Sequence, residues 1–272
     1  MSWLKEYFGT EKPIICSFHL RALPGDPRFG YDVKSMDEVV EIARRDMHAF
    51  QDGGIDAIMF SNEFSMPYKV GVEPVTTACM ARIIGELKSE LKIPFGTSVT
   101  IDPMGNLDLA AATGAVFMRD AFTGVHSGEF GVQDPKIGDV ARRKEHLGLH
   151  NVKTISAINP EGTAYMSVRK FEDIVKTTAF HCSLDSLAVS GVGTGQDTPD
   201  DIIIQVKNIV GDFMPVFANT GCTMDTIERK LSICDGAVVG TTFKVDGKFE
   251  NHVDPARVKA FMDKVKAFRG DK

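Results

Sequence analysis

Eight short apolar runs, each ending in a polar cluster and each followed by a stretch of helical periodicity, organise this 272-residue chain throughout. The runs lie near residues 13–18, 56–61, 93–100, 115–119, 152–158, 186–190, 215–218 and 237–240. Several are continuously apolar, as in Ala57-Ile58-Met59-Phe60 and Ala237-Val238-Val239. A strand that is apolar on both faces belongs in a parallel sheet covered by helices. The runs begin about 20 to 45 residues apart, which leaves room for one crossover helix in each gap.

The helix signals in those gaps are specific. Ser35-Met36-Asp37-Glu38 has capping-box spacing and opens an amphipathic stretch that stops at Gly53-Gly54. Met80, Ile83, Ile84, Leu87 and Leu91 form one stripe at helical spacing. Asp134-Pro135, Thr198-Pro199 and Asp254-Pro255 each place a capping side chain before a proline at the first helical position. Repeated strand–helix alternation predicts an α/β fold, a parallel eight-stranded (β/α)8 TIM barrel forming one domain over residues 1–272. Residues 1–12, with Trp3, Leu4, Tyr7 and Phe8, read as a short segment covering the barrel bottom or a subunit contact. The competing arrangement is a doubly wound open sheet, and the first strand lacks the G-x-G-x-x-G turn typical of its dinucleotide-binding form.

A net charge of −6 argues against a nucleic-acid partner or an acidic membrane surface. No run approaches the roughly 20 apolar residues of a membrane span. Met1-Ser2-Trp3-Leu4-Lys5-Glu6 does not read as a signal peptide. The five cysteines are scattered without paired spacing, so a reducing cytoplasmic setting is expected rather than a disulfide framework. A homo-oligomer is the expected assembly.

In such a barrel the chemistry sits where strands end. The polar residues there are His19, Asn62, Glu63, Asp102, Arg119, Asp120 and Asn219, with Arg21 and Asn159 beside them. Carboxylates, a histidine and arginines in one cavity can supply an acid, a base and a cationic clamp, or coordinate a divalent ion. Burial of Glu63 at the end of a strongly apolar strand is expected to raise its pKa. Asp102 precedes Pro103 and is equally placed to cap a helix; Arg119-Asp120 also fits a rim ion pair, and His19 a core histidine. No motif demands a cofactor, and no spacing such as H-E-x-x-H fixes a metal, so a divalent ion stays an open option.

The last turns point to an anion. Thr220 and Gly221 follow the seventh run, and Gly240 and Thr241, with Thr242, follow the eighth. Gly191, Gly193 and Thr194 follow the sixth, and Lys244 is near enough to add charge. Glycine lets an anion approach backbone N–H groups, and barrels commonly bind phosphate after strands seven and eight. Tight-turn formation alone would also require glycines. Three such turns side by side predict a phosphorylated small-molecule ligand.

His19-Leu20-Arg21-Ala22-Leu23-Pro24-Gly25-Asp26-Pro27 and Phe60-Ser61-Asn62-Glu63 with Pro67-Tyr68 resemble signatures of the BtpA/SgcQ family. So do Ser190-Gly191 with Thr194-Gly195, Ala218-Asn219-Thr220-Gly221 and Gly240-Thr241-Thr242-Phe243-Lys244. The likeness spans nearly the whole chain and is greatest to SgcQ-type bacterial members. It implies a ribulose-phosphate-binding type of barrel, with site positions at His19, Asn62, Glu63, Asp102, Arg119, Asp120 and Asn219. It further implies either phosphosugar metabolism or, as in the family's namesake, a part in photosystem I biogenesis. Phosphoribosylanthranilate isomerisation commonly uses a Cys and an Asp at strand ends, and Cys16 falls three residues short of the end of the first strand.

Three functions are therefore in competition. The first is an isomerase, epimerase or lyase acting on a phosphorylated sugar. The second is cleavage of a nucleoside or other N-glycoside. The third is a non-catalytic, BtpA-like assembly or regulatory factor.

Overall fold

The alternation closes on itself. The computed structural model describes residues 3–191, 193 and 196–271, and in it eight parallel strands form a barrel whose spatial order follows the chain. They are β1 (Ile14–His19), β2 (Ala57–Ser61), β3 (Phe95–Ser98), β4 (Phe117–Asp120), β5 (Lys153–Ala157), β6 (Ser186–Val189), β7 (Val216–Ala218) and β8 (Gly236–Val239). The ring closes where Ile14, Ile15 and Cys16 of β1 pair with Ala237, Val238 and Val239 of β8. The helices are α1 (Trp3–Phe8), α2 (Met36–Asp52), α3 (Pro74–Leu87), α4 (Pro103–Thr113), α5 (Ile137–His146), α6 (Phe171–His181), α7 (Asp200–Val210), α8 (Ile227–Ile233) and α9 (Pro255–Arg269).

Strand alternation divides the core into two shells. Ile14, Cys16 and Phe18 point outward and pack with residues such as Val39, Val40 and Phe50 of α2. Ile15, Met59, Phe117, Ile155, Phe217 and Val238 point inward and make a separate apolar cluster. Helix α1 lays Leu4 and Phe8 against that inner cluster, with the Phe8 and Phe117 rings 5.4 Å apart. The Trp3 indole N–H donates to Asp185 O just before β6, and the Tyr7 hydroxyl to Asn151 O just before β5. The N-terminal end of the barrel therefore has an apolar floor, and open space is confined to the other end.

The Ser35 cap accepts from Glu38 N–H, and Asp254 accepts from Ala256 and Arg257 N–H. Two expected caps differ. Helix α5 starts at Ile137 after Lys136 in the left-handed region (φ 50°), because residues Gly131–Gln133 are drawn into a second sheet. Helix α7 follows Pro199, while the Thr198 hydroxyl turns inward to Val189 O and Thr220 O. The third strand is shorter than its apolar run. Ile101 has φ 60°, and Thr100 N–H leaves the ladder for Asn62 Oδ1.

The second sheet is small and antiparallel. His126–Gly128 pairs with Gly131–Gln133 and with Thr163–Tyr165, joining the β4–α5 and β5–α6 connections above the mouth. The connection 121–133 between β4 and α5 reaches the mouth, whereas Gly25, Asp26 and Pro27, in the long connection between β1 and α2, border a separate cavity of about 230 Å³. Among the described residues, no helix is long and apolar enough to cross a membrane.

Candidate active site

Above the floor the inward-facing side chains turn polar. Ser17 and His19 of β1, Ser98 of β3, Arg119 of β4 and Asn219 just after β7 line one cavity of about 610 Å³ at the C-terminal mouth. Glu63, two residues past β2, lines it too, because Ser61 and Glu63 fall on the same side of the chain.

Glu63 is firmly held. Its Oε1 accepts from the Ser61 hydroxyl at 2.9 Å and its Oε2 from the Tyr68 hydroxyl at 2.8 Å. Burial opposes its charge, yet the fields of His19 and Arg119 and the two hydroxyls outweigh burial and pull its pKa down. The expected upward shift is thus reversed. Burial and the nearby Lys244 lower His19 to about 3, so near neutral pH its ring carries no charge and the groups left to favour the Glu63 charge are Arg119 and the two hydroxyls. Tyr68 is pushed well above the usual phenol range by burial and by Glu63, and stays a donor. Gly240 makes room for His19: a Cβ there would lie 2.7 Å from His19 Nε2. The other ring nitrogen, Nδ1, has no hydrogen-bond partner among the described residues.

Asp120 ends β4 at the rim of the same cavity and is nearly fully buried. Its Oδ1 accepts from Ala121 N–H at 2.7 Å, and its Oδ2 finds no partner among the described residues. Burial raises its pKa to about 8. The two carboxyl groups of the mouth are therefore shifted in opposite directions. Arg119 Nε donates to Asn219 Oδ1 at 3.2 Å, and Asn219 Nδ2 donates to Ser190 Oγ at 2.8 Å. Both ends of the Asn219 amide are spent on holding Arg119 in place.

The last two βα turns lie side by side. The Thr242 hydroxyl donates to Cys222 O at 2.6 Å, and Gly221, Cys222, Gly240 and Thr241 line the cavity together with Thr220 and Gly193. The first hydrogen bond of the 3-10 turn Thr241–Phe243 runs from Phe243 N–H to Gly240 O. Thr241 and Thr242 N–H consequently have no partner within that turn. Arg257, in the first turn of α9, lines the cavity beside them; its Nε donates to Thr242 O at 2.9 Å. No carboxylate pairs with Arg257 among the described residues.

Other residues named from the sequence are placed differently. Asp102 caps α4, with its carboxylate accepting from Gly105 N–H and from Val72 N–H, both at 2.9 Å. Asn62 is buried, and Asn159 clasps Ser190 through two backbone hydrogen bonds. Gly191 N–H is taken by Thr220 Oγ1 at 2.8 Å. Thr194 lies outside the described residues. At Gly221, a Cβ would sit 2.3 Å from Asp197 Cα, so this glycine serves the packing of one turn on the next. Lys244 lies over the Phe64 and Phe249 rings, beyond the cavity lining. Among the described residues no group of three His, Cys, Asp or Glu side chains could hold a metal ion.

Sequence reasoning missed Arg257, Tyr68 and Phe130 as lining residues. Arg257 had a readable signal, since it stands three residues after the Asp254 cap of the helix that follows the last strand.

Fold and mouth together define a class: a closed (β/α)8 barrel with an apolar floor and a polar mouth lined by two carboxyl groups, a histidine and arginines. A sequence profile of the BtpA family matches residues 10–267, and the chain belongs to that family. It is 49% identical over 269 residues to the sgc region protein SgcQ of Escherichia coli K12, covering 99% of this chain and 100% of that protein. It is 27% identical over 268 residues to the photosystem I biogenesis protein BtpA of Synechocystis, covering 96% of this chain and 90% of that one. The solved N-(5'-phosphoribosyl)anthranilate isomerase of Pyrococcus furiosus shares the fold, with a TM-score of 0.57 at 12% identity over 94% of this chain and 99% of that one.

Proposed function

We propose that the protein is an enzyme that binds a phosphorylated sugar or sugar-like metabolite at this mouth and moves a proton beside its carbonyl group. The observation that carries the reading is the contrast between two buried carboxyl groups lining one cavity: Glu63 accepts from two hydroxyls, whereas Asp120 Oδ2 finds no partner among the described residues. Glu63 is held ionised while Asp120 is pushed up to about 8. Environments that drive two titratable groups apart assign the base and the acid.

Glu63 would remove the proton, and Arg119, steadied by Asn219, would stabilise the oxyanion that forms. Neutral His19 would add a hydrogen bond to the same oxygen or its neighbour. Asp120 would return a proton. The phosphate would lie against Thr241 and Thr242 N–H, with the Arg257 guanidinium supplying charge and paired donors. Such chemistry serves an isomerase, an epimerase or a lyase. Cys16 offers nothing to a Cys/Asp mechanism of the phosphoribosylanthranilate isomerase type, because it faces outward, fully buried, with burial raising its pKa.

Thermal-shift titration with pentose and hexose phosphates tests the reading. Stabilisation by at least one of them at millimolar concentration, weakened in Arg257→Ala, is the expected result. No stabilisation by any, with a normal response to control ligands, would contradict it. Once a substrate is in hand, Glu63→Gln should lower kcat/KM by about 10²- to 10⁴-fold with the fold intact. Release of free base from nucleotides would instead favour N-glycoside cleavage. Full cellular function of Glu63→Gln would favour a non-catalytic factor.

A further inference from the structure

Resting on that phosphosugar reading, we infer that the ligand has two parts: a phosphorylated sugar and a planar group on its far side, received by Phe130 and Tyr68 beneath the small antiparallel sheet. Strands His126–Gly128 and Gly131–Gln133 are joined by the two residues Glu129 and Phe130. The left-handed position of this turn is taken by Gly131 at φ 97°, which leaves Glu129 and Phe130 with negative φ at the tip. Here a phenylalanine occupies the tip and turns into the mouth. Its ring centroid is 5.3 Å from that of Tyr68 at 65°, and both residues line the cavity.

The tip is held in place. Gly128 approaches the neighbouring strand so closely that a Cβ there would lie 2.1 Å from Gly162 O. The Tyr165 hydroxyl donates to Ile158 O at 2.8 Å, and the His126 and Tyr165 rings are 4.2 Å apart. Tyr68 is pinned from below through its hydroxyl to Glu63. Two aromatic rings thus line the cavity on independent supports, and the Tyr68 hydroxyl reaches Glu63.

Topology sets the span of the ligand. In the ring order, β4, which leads into the tip, stands four positions from β8, the opposite side of the mouth. The cavity lining accordingly includes Thr241 and Arg257, beyond β8, and Phe130, beyond β4, with Arg119 and Glu63 in the same wall. A cavity of about 610 Å³ is of the size that encloses drug-sized molecules, larger than a bare pentose phosphate needs. Aromatic faces favour a planar partner, and Glu129 on the same tip can accept from ring N–H groups.

The test uses calorimetric titration of the full chain with ribose 5-phosphate, uridine 5'-monophosphate and uridine. The nucleotide should bind about tenfold or more tightly than ribose 5-phosphate, and uridine weakly. Phe130→Ala and Phe130→Leu should each erase most of that preference while leaving ribose 5-phosphate binding within about twofold. Arg257→Ala should weaken both phosphates. If ribose 5-phosphate binds and the base adds nothing, or if both Phe130 variants keep the preference, the planar-group inference falls alone. If no phosphate ester binds, the phosphosugar reading falls and this inference with it.

Discussion

Asp120 and Glu63 share a mouth, and their opposite titration has consequences for pH. Asp120 is raised from 3.8 to about 8, so its folded form keeps a proton that the unfolded chain gives up between those values. Its contribution to stability is fully present below the unfolded value and is lost as pH rises through about 8. Asp120→Asn should remove this slope. Its Tm relative to the wild type should improve from pH 5 to about pH 8 and level off above that, by a total equivalent to a few kcal/mol. Parallel Tm–pH curves for the two proteins would refute the assignment. His19 works in the other direction: lowered to about 3, it contributes stability that is lost as pH falls from the ordinary histidine value toward 3. His19→Gln should therefore flatten the acid limb below about pH 6.5 in a calorimetric scan. The sequence indicated that His19, Glu63, Arg119 and Asn219 would share a mouth, because each ends an apolar run. It did not indicate the state of Glu63, whose charge depends on Arg119 in a strand two places round the ring and on Tyr68 beyond a turn.

At the level of single elements, the turns carry the site and their glycines carry the turns. Gly221 has φ 69° and no room for a Cβ against Asp197 and Gln196. Gly9 has φ 74° with nothing within 4 Å. Gly9→Ala should cost only the left-handed strain, about 1–2 kcal/mol, whereas Gly221→Ala should cost clearly more and disturb the cavity. Equal Tm losses would show that the turn packing is not what constrains Gly221. The caps at Ser35 and Asp254 were legible because side chain and spacing both point to a helix start. The small antiparallel sheet was not: strands of three residues show no period, and their pairing joins segments more than 30 residues apart.

For the molecule as a whole, alternation predicted a parallel sheet covered by helices, and its eightfold repetition with no G-x-G-x-x-G turn after the first strand favoured a closed barrel over a doubly wound open sheet. The closure of its lower end depends on α1, which places Phe8 against Phe117 inside the ring. Phe8→Ala should cost about 3–5 kcal/mol by leaving a cavity in the floor. That corresponds to a Tm loss of roughly 10 °C for a chain of this size. A change of less than about 2 °C would mean that the barrel stands without its floor. The most direct measurement of the central claim is an electron-density map of the protein crystallised with ribose 5-phosphate. The phosphate should lie within hydrogen-bonding distance of Thr241 and Thr242 N–H and the Arg257 guanidinium, with the carbon chain running toward Glu63. A phosphate bound elsewhere, or a chain directed away from Glu63 and Arg119, would contradict the account.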